Sequence, residues 1–86
     1  MAKKNEYFWY VEPLDSYTNQ AISRLVSDEN FQERVPNGGA VLENVWRCPR
    51  KIVTNFEKSR RQLGLKFHVY VQRGGGKIRQ WIFGKK

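Results

Sequence analysis

Residues 65–86 read LKFHVYVQRGGGKIRQWIFGKK. Two stretches in which aromatic and β-branched residues alternate with polar ones flank three glycines, the pattern of a β-hairpin. Its register decides which side chains share a face. If Gly74, Gly75 and Gly76 loop out, Arg73 pairs with Lys77 and Val71 lies opposite Arg79. A guanidinium then joins Phe67, Val69 and Val71. If an even number of residues loop out, Gln72 pairs with Lys77 and Val71 with Ile78. Phe67, Val69, Val71, Ile78 and Ile82 then share one face with only Gln80 polar. The other face collects Lys66, His68, Tyr70, Lys77, Arg79, Trp81 and Phe83. The cleaner sorting predicts the second register.

Upstream, PRKIVTNFEKSRRQL (residues 49–63) has proline at its start and Gly64 just past its end, the order that frames an α-helix. At about 100° per residue, Ile52, Val53, Phe56 and Leu63 gather in one sector of the wheel. Arg50, Lys51, Thr54, Lys58 and Arg61 fall on the far side, with Asn55 and Gln62 beside them. Only Glu57, with Arg60 or Arg61, supplies an acid to neutralise this stripe.

In the first half, EYFWYVEP (6–13) is a strand closed by Pro13. Its rings lie on both faces, Tyr7 and Trp9 with Val11 against Phe8 and Tyr10, which predicts a central strand and a packing role for most of them. DSYTNQAISRLVSDENF (15–31) follows, with Asp15 or Ser16 as N-cap and Leu14, Ala21, Ile22, Leu25 and Val26 at helical spacing. This helix is expected to end near residues 28–30. PNGG (36–39) is a turn, and AVLENVWR (40–47) reads as a further short strand.

The fold class predicted is α+β: one small domain over residues 1–86 with the order β-α-(β)-α-β-β. An antiparallel sheet would carry two helices packed mainly on one face and end in the Gly-tipped hairpin. Residues 1–5 are expected to be disordered. A chain of this length buries only about 60–65% of its unfolded surface, so its core is thin. Cys48 has no partner for an internal disulfide, and no apolar run is long enough to span a bilayer. A cytoplasmic protein is expected.

Charge divides the chain sharply. Residues 1–43 hold four basic residues against seven acids, a net of −3, whereas residues 44–86 hold twelve against Glu57 alone, a net of +11. A half that basic concentrates polyanions near it, and nucleic acid is the expected partner. Phosphates would meet Arg50, Lys51, Thr54, Lys58 and Arg61 on the helix and Arg73, Lys77 and Arg79 on the hairpin. Tyr70 and Trp81 would stack on bases. The same two rings would alternatively serve as packing beneath a helix, or as a seat for an arginine.

A basic helix leading directly into a glycine-tipped hairpin resembles the end of a winged-helix DNA-binding domain, in which the helix enters the major groove and the hairpin touches the backbone. The resemblance covers about 38 residues and is one of element order. PNGGAVLENVWR stands where that family places another helix, and no family is assigned.

Catalysis has little support. Cys48 and His68 lack a third orienting group, and one Cys with one His offers no zinc spacing, so no metal or cofactor is expected. Two other functions fit the composition. One is a protein-interaction module, such as a small phage or mobile-element inhibitor docking on an acidic or nucleic-acid-binding protein surface. The other is a toxin-like ribonuclease using His68, Tyr70, Lys77 and Arg79 from one face.

Overall fold

The computed structural model describes residues 7–37, 40–74 and 76–82. Residues 1–6, Gly38, Gly39, Gly75 and Phe83, to which the sequence reading gave roles, lie outside them. The elements run β1 (Tyr7–Pro13), α1 (Ser16–Ser23), a 3₁₀ turn (Asp28–Asn30), β2 (Phe31–Asn37), β3 (Ala40–Cys48), α2 (Arg50–Leu63), β4 (Phe67–Arg73) and β5 (Ile78–Trp81). The strands form one antiparallel sheet in the order β2-β3-β1-β4-β5. The expected α+β class holds, with one strand more than the predicted order. The first six elements follow the split βαβ arrangement, and β5 extends it at one edge.

The strand with rings on both faces is central, as its pattern requires: β1 lies between β3 and β4. Val11, Trp46, Cys48, Phe67 and Val69 form the helix-side core with Ile22 and Val26, and with Val53 and Phe56 of α2. On the reverse face Tyr10, Val35 and Val45 make a smaller cluster to which neither α1 nor α2 contributes, flanked by Phe8, Leu42, Tyr70 and Ile78. Both helices therefore sit on one side.

β2 escaped the sequence reading because FQERVPN carries charges and a proline. Both are tolerated on an edge strand, where one row of backbone groups faces solvent and a missing N–H costs nothing in the ladder. Its pairing with β3 contains an irregularity. Phe31 packs edge-on against Trp46 on the helix side, with ring centroids 5.1 Å apart. Val35, four residues on, packs on the reverse face. Between the pairs Gln32–Val45 and Arg34–Glu43, Asn44 takes a left-handed φ of 56°. Asparagine tolerates that conformation better than most residues, and the strands change faces there.

α1 is shorter than expected. Asp15 caps it, accepting the Thr18 N–H at 2.8 Å, but the helix closes at Ser23 and not near residues 28–30. Leu25 N–H bonds back to the Ile22 carbonyl in a tightened last turn. Ile22 and Val26 are buried, whereas Leu14 and Leu25 of the predicted stripe are exposed. Thr18, fully buried, ties α1 to the α2–β4 junction by accepting the Lys66 N–H at 2.9 Å. Trp46 Nε1 donates to Asn19 Oδ1 at 2.8 Å.

α2 begins after Pro49 and ends at Gly64, whose φ of 69° is the left-handed conformation that glycine adopts freely. Val53 and Phe56 are buried, while Leu63 is half exposed, so the predicted apolar sector is narrower by one residue.

The hairpin takes the register that the sequence reading rejected. Val71 pairs with Arg79 and Gln72 with Ile78. Arg79 and Trp81 therefore lie on the side of Phe67, Val69 and Val71, and Ile78 turns to the reverse face. The sorting argument assumed a helix-side face covered along its whole length. Burial along β1 runs from Tyr7, half exposed, to Val11 at 0%, and along β4 from exposed Arg73 to Val69 at 1%. The hairpin-tip end of that face is bare, so an arginine there is solvated at no cost in core burial. The winged-helix resemblance also ends here. A strand, β3, stands directly before α2 where that family places another helix, and β4 is an interior strand of a five-stranded sheet.

Candidate nucleic-acid interface

The corrected register assembles the basic residues differently from the sequence expectation. On the helix side, the tip of the hairpin and the start of β1 enclose a space of about 430 Å³ lined by Tyr7, Val71, Arg73, Gly76, Lys77 and Arg79. Arg73, Lys77 and Arg79 are all exposed. Two residues farther along β5, Trp81 forms the floor of a groove of about 420 Å³. The C-terminal half of α2 lines this groove with Lys58, Arg60 and Arg61, and with Glu57. Trp81 is half-buried and meets Trp9 edge-on, with centroids 5.1 Å apart and planes at 89°. The other side of Trp9 is covered by Arg50, whose Cζ lies 5.8 Å from the ring centroid.

Three features keep this surface cationic. Glu57, the only acid of the second half, has a 5% exposed side chain that bonds Arg60 Nε at 2.7 Å and its terminal nitrogen at 2.6 Å. Arg60 in turn lies flat on Phe67, 3.9 Å from the centroid. The pair is spent on packing, and Lys58 and Arg61 meet solvent without an acid between them. The second feature is the start of α2, where Arg50 and Lys51 stand in a first turn that contains no acid. The positive end of the helix dipole therefore adds to the side-chain charge. Thirdly, on the helical wheel Arg50, Thr54 and Arg61 fall within about 40° of one another on the flank toward β5. Lys51 sits farther round, on the outward side of α2.

Tyr70 is not part of this surface. It projects from the reverse face, where its hydroxyl donates to Glu12 Oε1 at 3.3 Å, and His68 Nδ1 lies 3.3 Å from the same oxygen. Burial, and then the Glu12 carboxylate, push the Tyr70 hydroxyl above its ordinary pKa. Tyr10 on the same face is buried, with its hydroxyl raised by that burial against a smaller opposing effect of Arg47. Arg47 covers Phe8 from 4.1 Å. The reverse face is thus aromatic but occupied by its own side chains. The sheet also divides the four residues of the ribonuclease alternative: His68 and Tyr70 face one way, Lys77 and Arg79 the other.

Tyr7, 51% exposed, was missed as a surface residue, whereas Trp9 packs against the helix-side core as expected. The sequence reading assigned most of YFWY to packing because a doubly apolar strand is normally covered on both sides. A signal was present: Tyr7 is the first residue of its strand, where covering elements most often stop short.

Cys48 belongs to the helix-side core, 4% exposed, and donates to the Trp46 carbonyl at 3.7 Å. Burial pushes its thiol up to about 12. His68 is on the opposite face, so the two do not form a nucleophile–base pair. Thiolate is the reactive species, and native protein at about pH 8 should resist iodoacetamide while guanidine-denatured protein is alkylated at once. Mass spectrometry of the two reactions checks this, and rapid alkylation of the native form would show that the α2 side opens.

No protein-family model, curated protein or solved structure matches the chain.

Proposed function

We propose that this protein is a non-catalytic nucleic-acid-binding module acting through the helix-side surface between α2 and the β4–β5 hairpin. The observation that carries the reading is convergence. Arg50, Lys58 and Arg61 of α2 and Arg73, Lys77 and Arg79 of the hairpin border neighbouring recesses that are lined by Tyr7, Trp9 and Trp81. Cations that served only solubility would have no reason to gather around rings or to have their one acid withdrawn into a packed pair. Cationic grooves with aromatic floors suit polyanions whose bases offer flat faces.

Fluorescence anisotropy against labelled single- and double-stranded oligonucleotides over a range of salt tests it. Five phosphate contacts give a log–log salt slope of about −4.5 on duplex and about −3.5 on a single strand. Absence of binding to either at about 50 mM salt removes the proposal. A partner that survives nuclease treatment in a pull-down would favour the protein-interaction alternative, with the same rings as its anchors.

A further inference from the structure

We infer that the ligand of this surface is a single strand and that Tyr7 carries one of its bases; the inference rests on the nucleic-acid reading above. In a duplex the base faces are stacked on one another, and a protein meets only phosphates, sugars and base edges. Here one exposed ring stands among cations. Tyr7 is 51% exposed and lines the tip space with Arg73, Lys77 and Arg79 around it. Phosphates held by those side chains would leave a duplex standing over Tyr7 without touching its face. An unpaired base enters and stacks.

α2 gives no opposing argument for duplex on this flank. Val53 and Phe56 anchor it to the sheet, so its groove-side residues are too low to enter a major groove. Duplex would have to use the outward row of Lys51, Asn55 and Gln62.

The test is anisotropy at about 50 mM salt with a labelled pyrimidine-rich single strand of about a dozen nucleotides and its duplex, using the full chain. The single strand should bind at least about 10-fold tighter than the duplex. Tyr7→Ala should weaken single-strand binding about 5- to 150-fold, the range for loss of one base–ring stack. Tyr7→Phe, which keeps the ring, should stay within about two-fold, and neither change should move duplex affinity. Emission from Trp9 and Trp81 in the unaltered protein should be quenched by the single strand and not by the duplex. Equal or tighter duplex binding, a Tyr7→Ala variant indistinguishable from its parent on the single strand, or unchanged emission overturns the inference and leaves the broader function standing. Binding to neither form overturns both.

Discussion

Replacing Arg73, Lys77 and Arg79 together by alanine is expected to weaken single-strand binding about 500-fold at 50 mM salt and about 50-fold at 150 mM. Each phosphate neutralised on a single strand contributes about 0.7 to the slope of log K against log salt, so three contribute about 2.1. At 50 mM, where the logarithm of the molar concentration is about −1.3, that amounts to about 2.7 decades of affinity, and at 150 mM to about 1.7. The fold should survive, since all three side chains are exposed and surface changes of this kind usually alter stability by no more than about 0.5 kcal/mol. The salt slope is the decisive readout. A triple variant that binds more weakly at unchanged slope would mean that the hairpin tip shapes the site without touching phosphate. An unchanged affinity would move the binding surface away from the tip altogether, toward the outward row of α2. Anisotropy titrations at four or five salt concentrations on parent and variant supply both numbers.

Much of the fold was legible because local and non-local preferences agree. β1 announces its central place through rings on both faces. α2 is framed by Pro49 and Gly64, and Asp15 caps α1 through its own side chain. What was not legible depends on where covering elements stop. Residue pattern alone sorts β4 and β5 into an apolar and a polar face, and that sorting fails because the helix-side face is covered only over part of its length. The true register places Arg79 in the apolar row at the uncovered end. The error passes directly to the site. Trp81 and Tyr70, predicted as neighbours, lie on opposite faces, and Tyr7 takes the place assigned to Tyr70. Arg50, Lys51, Lys58 and Arg61 of the predicted stripe and Arg73, Lys77 and Arg79 of the hairpin are exposed, because a run of cations with one acid has no other place to go. Their convergence required the tertiary structure. Similarly, the face change of β2 and β3 at Asn44 has no pattern to announce it, since Val35 and Leu42 look like ordinary alternating positions until one φ changes sign.

Phe67→Ala should cost about 3–5 kcal/mol, the range for a fully buried phenylalanine. Phe67 is 1% exposed and lies where β4, β1 and α2 meet. Its backbone pairs with Pro13 of β1, its ring meets Phe56 of α2 edge-on at 6.3 Å, and Arg60 covers its outer side while bonded to Glu57. Truncation would open a cavity between α2 and the sheet and leave a guanidinium with no ring beneath it. Eighty-six residues support a total stability of only about 4–13 kcal/mol. The loss is therefore about a quarter or more of the whole, a fall in Tm of about 15–30 °C by calorimetry or circular dichroism. Phe67→Leu, which keeps most of the volume, should cost less than about 1.5 kcal/mol. The pair of variants separates stability from function, because Phe67 also lines the α2 groove. If that groove takes a strand, Phe67→Leu keeps its affinity, since α2 stays seated and the cations of its wall stay in place. Phe67→Ala loses affinity steeply with temperature as α2 detaches. A fall in Tm below about 5 °C for the alanine variant would mean that α2 is held to the sheet by Val53 and Phe56 without it, and the groove would then not depend on this ring for its shape.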